Sequence, residues 1–170
     1  MKYKQVIFLD IDGVMNTSQS LLLQNWEDPK KMTDKKWCPL ACSHLRLILE
    51  SCPDVKIILS SAWRCFYKIN KMKYILKKNG LEAGRLKDYT PQERPTEFVD
   101  RGILIQRWLD EHPEVEEFVI IDDNSDMAHL KDKLFQTDSR IGLTLPIALD
   151  IIEVFTGKKP NIWSVSRTGE

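Results

Sequence analysis

Asp10 and Asp12 stand two residues apart at the end of an apolar run, Val6-Ile7-Phe8-Leu9, and Gly13 follows them. Residues two apart in an extended chain point the same way, so the two carboxylates would share one face at the tip of a buried strand. Carboxylates that close are stable only with a proton or a cation between them, and a divalent metal is the natural partner. Gly13 lets the backbone turn sharply away, which puts the pair at the carboxyl end of a strand, where open α/β sheets place their ligands. The plain alternative is an ordinary acidic Asp-Gly turn, and partners elsewhere in the chain must decide between the two.

Polar groups recur at the ends of two further apolar runs. Val55 to Leu59 stops at Ser60-Ser61, followed by Ala62, Trp63 and Arg64. A hydroxyl there can bond a phosphoryl oxygen and an arginine can fork onto two; otherwise the serines cap the next helix and Arg64 is solvated. Phe118 to Ile121 ends in Asp122-Asp123-Asn124-Ser125-Asp126. Three carboxylates in five residues are costly to collect unless a cation shares them. Between these runs, Asp100 is a candidate N-cap for a helix over 101–111 that opens on Arg101. A cation in a first turn opposes the helix dipole, which favours a functional reason for Arg101 over a merely solvated one.

Several apolar strands separated by amphipathic helices favour a mainly parallel α/β sheet with right-handed crossovers. Met15 to Lys36 reads as a loop with one short helix. Ser43 is a candidate N-cap for a helix carrying Leu45, Ile48 and Leu49, ended by Pro53. From Phe66 to Asn79, Ile69, Met72, Ile75 and Leu76 share a face opposite lysines, and Gly80 suits the position after the helix. Phe66, Tyr67 and Tyr74 are read as packing residues, because a base-stacking platform needs exposed rings beside a basic groove. Leu81 to Val99 reads as mostly loop, Leu134-Phe135 as a short strand, and Thr144 and Gly157 as the caps of a last helix.

At 170 residues, the chain fits one domain that buries about 70% of its unfolded surface. Lys plus Arg (25) balance Asp plus Glu (25), so no overall field advertises nucleic acid or a basic partner, although a local patch is compatible with that balance. Cys38, Cys42, Cys52 and Cys65 make no Cys-x-x-Cys pair, and reduced thiols are expected. No apolar stretch of signal-peptide or membrane-span length is present, so a soluble, cytoplasmic protein is expected. Lys158 to Glu170 reads as a tail.

The run Val6-Ile7-Phe8-Leu9-Asp10-Ile11-Asp12-Gly13-Val14 resembles motif I of the haloacid dehalogenase (HAD) superfamily of phosphohydrolases. Val55 to Ser60 is similar to motif II, and Ser60-Ser61-Ala62-Trp63-Arg64 resembles the small HAD domains attached to RNA-repair proteins. Arg101 at the head of its helix resembles motif III, with Arg in place of the usual Lys, and Phe118 to Asp126 resembles motif IV. The resemblance implies a Rossmann-like HAD core, residues 1–157, with a minimal cap, since Asn16 to Lys36 is too short for a large one. It implies Mg²⁺-dependent hydrolysis of a phosphomonoester, with Asp10 as nucleophile and Asp12 as general acid/base. Ser60, Ser61, Arg64 and Arg101 would bind the phosphoryl group. Metal ligands would come from Asp10, the backbone carbonyl of Asp12, and Asp122 with either Asp123 or Asp126. A short cap suits a macromolecular phosphate, either a phosphoprotein side chain, phosphotyrosine included, or a nucleic-acid end. Small metabolites and nucleotides are the alternative substrates, and a non-catalytic HAD-fold binding domain is the alternative of another class.

Overall fold

The computed structural model describes residues 3–23, 36–92 and 99–160. Five parallel strands, β1 (Gln5–Leu9), β2 (Lys56–Leu59), β3 (Leu86–Tyr89), β4 (Glu117–Asp122) and β5 (Leu134–Gln136), form one sheet in the order β3-β2-β1-β4-β5. The central strands are apolar on both faces because both faces are covered. Alternate residues of β1 divide between the layers. Ile7 and Leu9 join Leu45, Ile48, Ile151 and Ile152 of α2 (Pro39–Ser51) and α5 (Leu145–Thr156) on one face. Val6 and Phe8 meet Ile105 and Trp108 of α4 (Arg101–Asp110), together with Met127 and Leu130, on the other.

Register positions the site. Leu9 lies opposite Leu59 of β2 and Ile121 of β4, so the next residue of each strand emerges on the same edge: Asp10, Ser60 and Asp122. The pairing continues one step past β1, with the Asp10 amide donating to Ile121 O and the Ser60 amide to Leu9 O, both at 3.0 Å. Strand order also reverses at β1, with β2 and β3 to one side and β4 and β5 to the other, so this edge is the switch point where such sheets bind ligands.

Several elements differ from the sequence expectation. β3 falls within a stretch read as loop; Leu-Lys-Asp-Tyr is short and half polar, and its acid is accommodated because Trp108 Nε1 donates to Asp88 Oδ2 at 2.9 Å. Helix α2 begins at Pro39, before Ser43, because proline at a first helical position lacks only an N–H that would have no helical partner. Helix α1 (Ser18–Leu22) is the short helix expected after β1, held by a reciprocal cap between Thr17 and Ser20. Helix α3 (Ile69–Lys78) buries Met72, Ile75 and Leu76 as expected. Of the aromatics read as packing, Tyr67 lies 5.5 Å from the Trp63 ring, but Phe66 is 78% and Tyr74 54% exposed. Most of the segment expected to hold the minimal cap, residues 24–35, and the tail beyond Pro160 lie outside the described residues. Among the described residues no helix is long and apolar enough to cross a membrane.

Candidate active site

The tip of β1 is a buried, tightly bonded turn. Asp10 is 4% exposed, and the amides of Met15 and Asn16 both donate to Ile11 O at 2.8 Å. Thr137, at the end of β5, donates its hydroxyl to Gly13 O at 2.9 Å. Gly13 has φ of +77°, and a β-carbon there would collide with the Asp123 carboxyl group. Only glycine meets both demands, so the turn brings β1 against the end of β4.

Arg101 joins the two acidic strand ends. Its Nη1 lies 3.1 Å from Asp10 Oδ2 and 2.5 Å from Asp122 Oδ2. Gly102 makes this possible, because a β-carbon on it would collide with the Met127 carbonyl; the first turn of α4 therefore rests directly on the loop after β4. Asp122 is fully buried, and its other oxygen accepts from the Asn124 amide at 3.0 Å. Burial, and then the charge of Asp10, push its carboxyl up to about 7 in spite of Arg101. Asp123 is also raised, by burial first and then by Asp10. Burial works against the Arg101 charge, but Asp10 and Asp122 outweigh it and hold the guanidinium above its ordinary value. One cation among three carboxylates leaves negative charge in excess, which adds to burial in raising Asp122 and Asp123.

Oxygen atoms from Asp10, Asp122 and Asp123 lie within 4.8 Å of one another. An all-carboxylate donor set of this size fits a hard divalent cation such as Mg²⁺. Of the two arrangements left open by the sequence, the structure assembles the adjacent acids. Asp126 stands outside the group, where its carboxylate accepts from the Arg101 amide at 3.4 Å and its carbonyl from the Gly102 amide at 3.1 Å, closing the N-terminus of α4.

Asp12 is exposed yet held at both oxygens. Asn16 Nδ2 donates to Oδ1 and Trp63 Nε1 to Oδ2, each at 2.8 Å. Neither donor was among the site residues expected from sequence. The signal that could have found Trp63 is its position just past the tip of β2, the strand beside β1.

At that tip, Ser60 is fully buried and its hydroxyl has no hydrogen-bond partner. Ser61 accepts from the Trp63 amide at 3.4 Å, capping the turn Ala62–Cys65. Arg64 is not brought to the carboxylates. Its Nη1 donates to Ser60 O at 3.0 Å and Ser61 O at 2.8 Å, and its Nε and Nη2 donate to Pro91 O. It is 8% exposed, buried rather than solvated. It ties the end of β2 to the chain leaving β3.

A cavity of about 480 Å³ opens over this edge, lined among others by Asp10, Asp12, Asn16, Ser61, Arg101 and Asp123. A second, of about 430 Å³, shares Ala62 and Arg101 with it and continues past Arg64, Cys65 and Gln92.

Acids at the ends of β1 and β4, a hydroxyl at the end of β2 and a cation opening α4 place the domain in the HAD superfamily. More narrowly, the chain belongs to the HAD domains found in Swiss Army Knife RNA repair proteins, whose family model matches residues 6–148. Among solved structures it is similar to the HAD domain of the effector protein Lem4 from Legionella pneumophila. The identity is 15%, over 83% of this chain and 88% of that one, with a TM-score of 0.51. A haloacid dehalogenase-like hydrolase, SP0104 from Streptococcus pneumoniae, aligns at 10% identity over 89% of this chain and 92% of that one, with a TM-score of 0.46. No curated protein sequence matches.

Proposed function

We propose that the protein is a Mg²⁺-dependent phosphomonoester hydrolase that works through an aspartyl-phosphate on Asp10. The observation that carries this reading is the meeting of Asp10, Asp12, Arg101, Asp122 and Asp123 at one sheet edge. An oxygen of Asp10 attacks phosphorus, and the bond from phosphorus to the substrate oxygen breaks as Asp12 gives that oxygen a proton. Asp12 then takes a proton from a water that attacks the aspartyl-phosphate, which releases phosphate and restores Asp10. Arg101 neutralises Asp10 and the phosphoryl oxygens as charge builds on them. The unpartnered Ser60 hydroxyl is suited to donate to a phosphoryl oxygen, with Ser61 on the cavity wall beside it. Asp10, Asp122 and Asp123, with the backbone carbonyl of Asp12, would hold the magnesium, which would supply further positive charge to the phosphoryl group. A non-catalytic binding domain would be free to lose these carboxylates, and the chain retains them.

For the substrate we infer a nucleic-acid end. Phe66 follows Cys65 on the wall of the second cavity, and from there Lys68, Lys71, Tyr74 and Lys78 are exposed along α3. Lys71 Nζ sits 5.0 Å from the centre of the Tyr74 ring. Exposed rings interleaved with lysines form the surface on which a single strand stacks its bases and neutralises its phosphates. The family's occurrence in RNA repair proteins supports the same reading. The test compares kcat/KM on oligonucleotides phosphorylated at either end, on phosphopeptides including phosphotyrosine, and on sugar and nucleotide monophosphates. Oligonucleotides are expected to lead. A small metabolite ahead by about a hundredfold, near 2.7 kcal/mol of transition-state preference, would overturn the macromolecular assignment. A lead by phosphopeptides would overturn the nucleic-acid assignment alone.

A further inference from the structure

The two carboxylates at the tip of β1 are held in different ways. Asp10 is buried and paired with a cation, which fixes it by charge. Asp12 is exposed, and no ion pair to it is found among the described residues. An exposed carboxylate turns readily about its χ angles, and a general acid must keep its proton within hydrogen-bond reach of one oxygen of the substrate. In this structure both Asp12 oxygens accept N–H bonds at 2.8 Å, from two side chains that are themselves buried: Asn16 is 7% and Trp63 4% exposed.

We propose that Trp63, together with Asn16, is a positioning residue that fixes the orientation of Asp12 for proton transfer; the proposal rests on the reading of Asp12 as general acid/base. The tryptophan is itself immobilised. It sits on a one-turn helix at the end of β2, with Trp37 edge-on at 6.2 Å and Tyr67 at 5.5 Å between ring centres. Its indole N–H is therefore a fixed point, delivered to Asp12 from the end of the neighbouring strand. Asn16 supplies the second point from within the β1 turn, where its amide and carbonyl are bonded to Ile11 and Gly13.

Both donors are uncharged, so they fix the carboxylate without giving it the permanent cation that Arg101 gives Asp10. Each Asp12 oxygen keeps a second lone pair for the transferable proton. In the first step the proton leaves Asp12 for the substrate oxygen as the bond from phosphorus to that oxygen breaks. In the second, a proton from the attacking water returns to Asp12. Every atom and charge is then restored.

A positioning role has a signature that a packing role lacks. Proton donation matters when the leaving group is a poor one, such as an alkoxide, and hardly at all when it is stable as an anion, as dinitrophenolate is. The experiment measures kcat/KM, which covers the steps through leaving-group departure, for wild type, Trp63→Phe, Asn16→Ala and Asp12→Asn. The substrates are a dinitrophenyl phosphate and the best alkyl monoester from the substrate panel.

Trp63→Phe is expected to lower the alkyl-ester value about 10- to 100-fold, part of the roughly 10²–10⁴ that general acid catalysis supplies, and the aryl value by less than about threefold. Asn16→Ala should show the same bias. It removes one tether and leaves the aromatic cluster in place, so it carries the test if Trp63→Phe does not fold. Equal losses on both esters, or no loss on either, would overturn the proposal. If Asp12→Asn shows the leaving-group bias and the two tether variants do not, the positioning role alone falls. If Asp12→Asn shows no bias, the general-acid reading falls and the proposal with it.

Discussion

Asp122→Asn is expected to make the metal-free protein more stable while removing its activity. Asp122 is fully buried, and burial together with Asp10 raises its carboxyl from 3.8 to about 7. The folded protein therefore keeps this proton up to about pH 7, whereas the unfolded chain gives it up near pH 4. With more protons bound in the folded state, stability falls as pH rises through that window. The full cost above pH 7 has a ceiling of about 4 kcal/mol, at about 1.4 kcal/mol per factor of ten in acidity. Asparagine mimics the protonated acid in shape and carries no charge, and Arg101 keeps Asp10 as a partner at 3.1 Å. Allowing for the weaker bond left between residue 122 and Arg101, a net gain of about 1–3 kcal/mol at pH 8 is expected. The advantage over wild type should grow by about 2 kcal/mol between pH 5.5 and pH 8, a difference of about 4–8 °C in Tm for a chain of this size. The assay is urea and thermal unfolding in chelator at both pH values. Added Mg²⁺ should then reverse the order, because it binds and stabilises only the wild type. A variant less stable than wild type at pH 8 in chelator would contradict this, since it would make the Asp122–Arg101 pair a net source of stability.

Chelator should silence phosphatase activity and Mg²⁺ restore it, whereas Ca²⁺, which takes more ligands at longer distances, should not; full turnover in metal-free buffer would contradict this. Gly102→Ala should lower kcat/KM by more than about tenfold, because the added methyl displaces α4, and Arg101 with it, from the loop after β4. Helix propensity alone would favour the alanine by about 1 kcal/mol, so an active, more stable variant would show that the close approach is not needed. Arg64→Ala should destabilise the fold by about 2–4 kcal/mol in urea unfolding, by leaving buried carbonyls at the ends of β2 and β3 without donors. Unchanged stability with a tenfold higher KM would return Arg64 to the phosphate.

What could be read in the sequence was the set of strand ends. An apolar run that stops at a polar residue marks a buried strand and its tip, and three such runs announced Asp10, Ser60 and Asp122. Their meeting needed only that β1 lie between β2 and β4 in register. The choice between Asp123 and Asp126 was not legible, since it depends on which acid the α4 N-terminus occupies. Trp63 was hidden for a similar reason: its partner Asp12 lies far off in sequence, and an aromatic near a strand end ordinarily signals packing. The structural part played by Arg64 was not legible, because a charged residue beside two serines suggests solvent or ligand, whereas its guanidinium also bonds backbone carbonyls at the ends of β2 and β3. β3 escaped because Leu-Lys-Asp-Tyr becomes a strand through its pairing with β2 and the Trp108 bond to Asp88, neither of which is local.

The most direct test is to trap the enzyme during turnover with acid quench or borohydride and to map the product by peptide mass spectrometry. A phosphoryl group on Asp10, or homoserine at position 10 after reduction, is expected, with loss of both in Asp10→Asn along with turnover. Steady hydrolysis with Asp10 unmodified at every time point, or an Asp10→Asn variant that still turns over, would contradict it.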